Sequence, residues 1–387
     1  MLTQTVFPPD IRLEKEIRSL YKNGYKVLVV CNQFDKTKNP NFEFCEIKRV
    51  NAVFKNINLN KLINFPFFLN PRYLFTSFNN LIRFKPDFIH AHDLPMMPIA
   101  ILFGKLFRIP IIFDMHENYP QALKQFNKKG FINFIFKNYR FASILEKLCL
   151  KLSNRIIVVI DEGKERLVSM NVPSERISIV SNTVDLETFI KLESEPQNSK
   201  NYFAGDKEII LYTGTLSSER GLKTPILAMK LLVTKIDNVM LLLVGDGPQK
   251  QELKTIVETY QLENCVRFMD WVDHIELAFI VSKAEVCIIP QPNNEFINTT
   301  IPHKLFEYMA IGKPVLVSDA LPLKRIVNET GAGLVFKSDD EIDFALRMEQ
   351  LLTEKKDWGT KGLEAVRNIY NWKNEEKTLI NMYNKLN

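Results

Sequence analysis

Short apolar runs, rich in Ile and Val and bounded by polar or turn residues, recur along the whole chain. YKVLVV (25–30), PDFIHAH (86–92), IPIIFDMH (109–116), NRIIVVI (154–160) and RISIV (176–180) form a first series. After the polar, patternless LESEPQNSKNYFAGDK the series resumes with EIILYTG (208–214), NVMLLLVG (238–245) and CVRFM (265–269). It closes with AEVCII (284–289), KPVLVS (313–318) and AGLVF (332–336). Runs of this length and composition read as buried parallel strands. Helix-period segments lie between them. In DIRLEKEIRSLYKNG the spacing turns Ile11, Ile17 and Leu20 inward, and Asn23-Gly24 ends the helix. The last stretch, WKNEEKTLINMYNKLN, is also helix-like. Strand–helix alternation made twice predicts an α/β chain of two doubly wound, Rossmann-like domains facing across a cleft. The expected division is a first domain over 1–182, a linker over 183–206 and a second domain over 207–370. The final helix, 371–387, is expected to pack back on the first domain.

Bulk composition fits two soluble domains. The chain has 387 residues, 46% hydrophobic and 25% charged. No run of about 18 apolar residues predicts a transmembrane helix. MLTQTVFPPD lacks the basic region and apolar core of a signal peptide. The five cysteines show no Cys-x-x-Cys spacing, so they read as reduced thiols of a cytosolic protein. The net charge of +6 hides an asymmetry: residues 1–182 carry 27 Lys and Arg against 15 Asp and Glu, whereas residues 183–387 carry 24 against 30. The two halves therefore present different surfaces to their partners.

In open parallel sheets ligands sit beyond the carboxyl ends of the strands, so the residues just after each apolar run hold the candidate chemistry. Three such places stand out in the second half. YTGTLSSERGL ends a strand at Gly214 and reaches Arg220 at a helix start. In LLLVGDGPQKQEL, Gly245 and Gly247 flank Asp246, and Pro248 suits a first helical turn. Glycines there let a ligand approach the backbone, and N–H groups at a helix start attract anions; a tight strand-to-helix turn would need the same glycines. TTIPHKLFEYMAIGKPVLV places a helix from Pro302 to about Gly312. At 100° per residue, His303, Lys304, Glu307 and Tyr308 share one face, and Leu305, Phe306 and Met309 the other. A helix start plus Lys304 could hold a diphosphate, with Glu307 accepting from sugar or ribose hydroxyls. The same spacing also describes a surface helix with an i, i+3 ion pair.

Taken together, VGDGP, PHKLFEYMAIGKPV and the GTL…ERGL loop resemble the donor-binding half of the GT-B glycosyltransferases, in particular the large retaining family 4. FPPDIRLEKEIRSL, FIHAHDL, FDMHENYP and VSNTVD stand in that family's order in the first half, so the resemblance covers nearly the whole chain. It implies a nucleotide-sugar on the second domain, with Arg220 and Lys304 on the diphosphate and Glu307 on the ribose. Gly214, Thr215, Gly245, Gly247, Thr299, Thr300, Ile301 and Leu305 would complete the donor seat. The base would lie near MDWVDH, at Met269 and Trp271. On the first domain His116 would stand by the reacting sugar, with His92, Asp93, Glu117 and Asn118 on the acceptor side. The chain departs from the family at Thr299, where a glutamate is usual, and at Thr215, where arginine is frequent. It also lacks the glycine-rich loop after the first strand, and MLTQTVFPPD leaves only a stub of that strand.

Metal catalysis finds no sequence support: there is no Asp-x-Asp, and the five histidines lack ligand spacing. His90 and His92 straddle a strand end, and one is expected to face the core and the other the cleft. From Ile47 to Pro86 there is no acidic residue, while Lys48, Arg49, Lys55, Lys61, Arg72, Arg83 and Lys85 are basic and NFPFFLNPRYLF is aromatic. Farther on, Lys137, Arg140, Lys147 and Lys151 form one helical stripe. Cations beside Phe, Ile and Leu suit an anionic membrane surface, or a solvated basic face over a Phe-rich core. No nucleic-acid recognition motif accompanies them. The combined expectation is a retaining, metal-independent glycosyltransferase without cofactor, cytoplasmic and peripheral on the inner face of the cell membrane. It would move sugar from a nucleotide diphosphate donor to a glycan or lipid-linked acceptor. A nucleotide-sugar epimerase of similar architecture, or a non-catalytic nucleotide-sugar-binding homologue, are the competing classes.

Overall fold

A computed structural model describes residues 1–33, 40–51, 70–125, 138–189, 207–272, 274–354 and 356–386. The chain forms two compact units, Met1–Ser181 with Glu375–Asn387, and Asn182–Asn374. The first unit runs α1 (Ile11–Lys22), β1 (Leu28–Gln33), β2 (Glu46–Asn51), α2 (Pro71–Phe84), β3 (Ile89–His92), α3 (Met97–Phe107) and β4 (Ile111–Met115). It continues through α4 (Tyr119–Gln125), α5 (Tyr139–Leu152), β5 (Arg155–Val158), α6 (Asp161–Ser169) and β6 (Ile177–Ile179). β1 pairs with β2, and β3-β4-β5-β6 form a parallel row. Between them, Leu2 bridges Val30 of β1 and Ala91 of β3. Leu2 N donates to His90 O at 2.8 Å and Thr3 N to Val30 O at 3.1 Å, so three residues fill the central strand position.

In the second unit, α7 (Leu186–Phe189) is followed by β7 (Glu208–Thr213), α8 (Lys223–Leu232), β8 (Val239–Val244), α9 (Lys250–Thr259), β9 (Val266–Met269) and α10 (His274–Ser282). Next come β10 (Val286–Ile289), α11 (His303–Ala310), β11 (Val315–Ser318), α12 (Leu321–Thr330), β12 (Gly333–Phe336), α13 (Glu341–Thr353) and α14 (Trp358–Asn368), while α15 (Trp372–Asn384) belongs from Glu375 onward to the first unit. The sheet order is β12-β11-β10-β7-β8-β9, all parallel. Read from the other edge, this is the 3-2-1-4-5-6 order whose direction reverses between its first and fourth strands, here β7 and β10. That crevice is where a doubly wound sheet takes its ligand. β8 and β10 are buried throughout, which is why they are continuous apolar runs.

Three expectations are corrected. β2 was not foreseen: EIKRVN is mostly polar and only half-buried, so no apolar run betrays it. Ile11 is 44% exposed, and the buried face of α1 instead carries Arg12 and Glu16 beside Leu13, Ile17 and Leu20. His90 and His92 do not face opposite ways. Residues two apart on a strand share a face, and both are buried, their rings stacked at 4.4 Å. The stretches holding Lys55, Lys61, Lys137 and 190–206 lie outside the described residues.

Candidate functional site

The end of β7 is stitched to α11 at one residue. The Thr213 N–H donates to the Tyr308 hydroxyl at 3.0 Å, and Thr213 Oγ1 lies 2.9 Å from the same oxygen. On the other side the Lys304 ammonium donates to the Thr213 carbonyl. Its Nζ also stands 4.1 Å from the Tyr212 ring centroid, over the ring face. Tyr308 is thus fully buried, not part of a polar face as helical spacing suggested. α11 presents His303 and Lys304 half-buried and Glu307 buried, with Leu305, Phe306 and Met309 in the core. Pro302 caps the helix with extended backbone and does not sit inside it.

Gly214 adopts φ +123°, which strains any other residue, and a Cβ there would come 2.6 Å from Lys304 Nζ, so the end of the lysine would have to shift. Arg220 closes the loop that follows. Its Nε is buried without a hydrogen-bond partner. Burial, and then the Arg220 charge, hold the Lys304 amine well below its ordinary value, Glu307 opposing. Two basic side chains therefore face each other at the sheet's switch point, a place where a bound anion would favour the charged form of both. The other two glycines have a plainer explanation. A Cβ on Gly245, at φ +142°, would meet the Gly214 carbonyl at 2.0 Å, and one on Gly247 the Leu216 carbonyl at 2.4 Å. The GDG turn thus lets two loops pack together, and Pro248 lies in a turn just before α9.

The remaining second-unit candidates lie on the same rim of strand ends. Thr215 is exposed, and its carbonyl accepts from the Tyr212 hydroxyl at 2.9 Å. Met269 ends β9 half-buried, and Trp271 beyond it is exposed. Thr299 sits in a short 3-10 turn and donates its hydroxyl to the Phe296 carbonyl at 3.1 Å. Thr300 is half-buried; Ile301 is buried, its carbonyl accepting from Asn182 Nδ2 at 3.1 Å.

In the first unit the strand ends converge on Asp114, wholly buried on β4. Arg12 Nη2 lies 3.0 Å from Asp114 Oδ1, and Arg12 Nη1 donates to the Val180 carbonyl at 2.9 Å. His92 Nδ1 and His116 Nε2 approach Asp114 Oδ2 at 3.2 and 3.1 Å. On its other side His116 Nδ1 lies 3.5 Å from Asp93 Oδ2, and its backbone N–H donates to Asp93 Oδ1. Although burial opposes it, Asp93 and Asp114 raise His116 to about 10, so the ring is an imidazolium. His116 remains 24% exposed. Asn118 is buried and Glu117 half-buried at the start of α4, whose Gln121 N–H points at Asn118 Oδ1.

Glu16 and Arg12 are the functional candidates that sequence reasoning missed. Glu16 Oε1 lies 3.1 Å from Arg12 Nε, and Glu16 Oε2 lies 4.0 Å from Nε2 of both His90 and His92. Burial, reinforced by Asp114, pushes the Glu16 carboxyl up to about 8. Burial and the neighbouring His90 take His92 down to about 3. Glu16, His90, His92 and Asp114 bring ligand atoms within 4.8 Å of one another, a composition that suits a metal. The Arg12 guanidinium already lies against both carboxylates, so a metal ion would meet a fixed positive charge. The buried Arg–Glu pair one turn apart on α1 was the available signal.

The two halves match two family profiles, Glycosyltransferase Family 4 over residues 13–188 and Glycosyl transferases group 1 over residues 193–365. A sulfoquinovosyl transferase of Arabidopsis thaliana is 22% identical over 293 residues, 74% of this chain and 53% of that protein. An alpha-monoglucosyldiacylglycerol synthase of Streptococcus pneumoniae is 20% identical over 362 residues, 89% of this chain and 76% of that protein. The chain spans about half the length of the first curated relatives it matches, 53% in each case. Among solved structures, a sucrose-phosphate synthase from Thermosynechococcus elongatus superposes with a TM-score of 0.80 at 20% identity, covering 97% of this chain and 92% of that one. That likeness shows a common fold.

Proposed function

The chain belongs to the group 1 and family 4 glycosyltransferases of GT-B fold, and from that premise we propose that it transfers a sugar from a nucleotide diphosphate donor, with retention, to a glycan or lipid-linked acceptor. The observation that carries this reading is the pair Lys304 and Arg220 at the end of β7, with a depressed amine and a buried, unpartnered Nε. A diphosphate bridging them would relieve both defects. As the bond from the anomeric carbon to the diphosphate oxygen breaks, the charge gathering on that oxygen is met by these cations and by the start of α11. Glu307, buried one turn along, accepts from the ribose hydroxyls. Exposed Trp271 offers a flat apolar surface for the base.

On the acceptor side His116 is the reacting group's neighbour. Its Nε2 edge is fixed on Asp114 at 3.1 Å, whereas the contact to Asp93 is longer, 3.5 Å. A sugar hydroxyl can replace Asp93 and receive a charged hydrogen bond from Nδ1. These side chains account for the chemistry without a metal, and the enzyme works at the cytoplasmic face of the cell membrane. The test is a thermal-shift panel of UDP, GDP, ADP and TDP on wild type and Glu307→Ala. A ligand that binds the folded state alone raises its melting temperature. Stabilisation by one nucleotide, lost in the variant, supports the reading and names the donor class; no shift from any of the four at millimolar concentration overturns it.

A further inference from the structure

The loop from β10 to α11 opens with Pro290-Gln291-Pro292. β10 and β7 are the two neighbouring strands at which the sheet order reverses, so the crevice of the fold lies beyond their carboxyl ends. In their pairing Val286 faces Ile210 and Cys287 faces Leu211. Extended past the strand ends, that register brings Gln291 level with Thr215, just beyond Gly214. A second contact fixes the same place. A Cβ on Gly221 would come 1.9 Å from the Pro290 carbonyl oxygen and 3.6 Å from Pro292 Cδ. The turn that carries Arg220 therefore rests on the segment that carries Gln291.

Gln291 is 2% exposed, and its Oε1 has no hydrogen-bond partner. The other side-chain amide oxygens of this loop are all committed. Asn293 Oδ1 accepts from Asn298 Nδ2 at 2.8 Å, and Asn298 Oδ1 from the Leu321 N–H at 2.9 Å. Asn294 Oδ1 accepts from the Phe296 and Ile297 N–H groups, each at 3.0 Å. Glu295 points its carboxylate into solvent, and the Thr299 hydroxyl donates to the Phe296 carbonyl at 3.1 Å. A buried amide oxygen without a partner costs stability, and native structures hold few of them. Beside it, the Arg220 Nε is buried and bare too. The two atoms have opposite needs: the guanidinium N–H lacks an acceptor, and the amide oxygen lacks a hydrogen to accept. A diphosphate alone would serve Arg220. A ligand that carries hydroxyl groups next to its diphosphate would serve both.

We propose that Gln291 is a specificity-determining residue for the transferred sugar, its Oε1 accepting a hydrogen bond from a sugar hydroxyl. The inference rests on the transferase reading and deepens it, since it concerns the sugar and not the nucleotide. The prolines on either side restrict the backbone that presents the amide. A neutral acceptor also adds no negative charge beside the diphosphate. A sugar that lacks the hydroxyl would leave the buried oxygen bare in the complex, and is rejected for that reason.

The experiment is calorimetric titration of the full chain with UDP, UDP-glucose, UDP-galactose, UDP-N-acetylglucosamine, GDP and GDP-mannose. Gln291→Leu, which removes both polar atoms at similar volume, and Gln291→Glu, which keeps an acceptor, are compared with wild type. We expect Gln291→Leu to bind the nucleoside diphosphate within twofold of wild type. Its affinity for the preferred nucleotide-sugar should fall about three- to tenfold, the effect of one hydrogen bond. Gln291→Glu should hold that affinity within about threefold. The ligand-free Gln291→Leu protein should melt at or above the wild-type temperature, because the change removes an unsatisfied buried oxygen. Equal losses for diphosphate and sugar conjugate would overturn the proposal, as would unchanged sugar affinity in Gln291→Leu. So would a loss of diphosphate binding in Gln291→Glu alone, the mark of an amide that donates to phosphate. A wild type that binds none of the six ligands overturns the transferase reading itself, a result seen before any variant is compared.

Discussion

Lys304→Met is the most direct probe of the donor seat. Methionine keeps the unbranched length that lies over Tyr212 and avoids a cavity, but it removes the ammonium. The residue stands 4.1 Å from the Tyr212 centroid, bonds the Thr213 carbonyl and borders Gly214, so the change is confined to the end of β7. A hydrogen bond from a charged donor contributes about 1.5–3 kcal/mol, which corresponds to a loss of about 10- to 150-fold in diphosphate affinity. A second signature separates this from simple packing damage. The free amine sits well below its ordinary value of 10.5 because of burial and Arg220, and a bound diphosphate would raise it again. Over that window the complex holds a proton that the free protein lacks, so affinity must fall as pH rises, by up to about tenfold per pH unit for one proton. The same depression makes the folded, ligand-free protein release a proton that the unfolded chain keeps. This group therefore opposes folding at neutral pH, and the penalty fades as pH climbs toward 10.5. Calorimetric titration with the nucleotide found by the thermal-shift panel, from pH 7.5 to 9.5, should give a sloping wild type and a flat variant. Binding by Lys304→Met within threefold of wild type, or parallel slopes in both proteins, would refute the reasoning.

Two further perturbations address neighbouring structure. Gly214→Ala combines a φ of +123° with a Cβ 2.6 Å from Lys304 Nζ; it should lower stability by about 1–3 kcal/mol and weaken nucleotide binding, as read by urea unfolding and titration. In the first unit, wild-type His116 should show no imidazole titration by NMR between pH 6 and 8, being raised to about 10. Its stabilisation is complete below the unfolded value of about 6.5 and is lost as pH rises through about 10. Asp114→Asn should return the titration toward the ordinary range and lower stability by removing one of the two carboxylates against the buried Arg12, by less than the about 3–5 kcal/mol of a fully broken buried pair. The milder Asp93→Asn should lower the pKa by less, with the fold intact.

Most strands could be read from the chain because a strand covered on both faces must be apolar throughout, as β8 and β10 are. β2 could not, since its exposed and half-buried residues obey no such demand. The polar residues of α11 were visible in helical spacing, but spacing says nothing of what lies above a helix. Tyr308 therefore looked like a neighbour of Lys304 on an open face, when its hydroxyl is committed to Thr213 in the core. The GDG turn carried a glycine signal whose cause, the closeness of the Gly214 and Leu216 carbonyls, exists only in three dimensions. The same holds for the cluster around Asp114. Arg12, Glu16, His90, His92 and His116 come from three separate segments, and their mutual charges decide which of them hold protons.

The first unit is finished by the distant segment Glu375–Asn387. Glu375 Oε2 accepts from the Ser181 N–H at 2.8 Å, the Tyr383 hydroxyl lies 2.7 Å from His90 Nδ1, and the Tyr25 hydroxyl donates to Asn384 at 2.9 Å. Synthesis on the ribosome runs from the amino terminus, and domains usually complete themselves in that order. Here the order is inverted. The segment Asn182–Asn374 is entire while the nascent first unit still awaits Glu375–Asn387. Until Tyr383 has emerged, His90 lacks its tyrosine partner, so the unit whose synthesis begins first is the last to close.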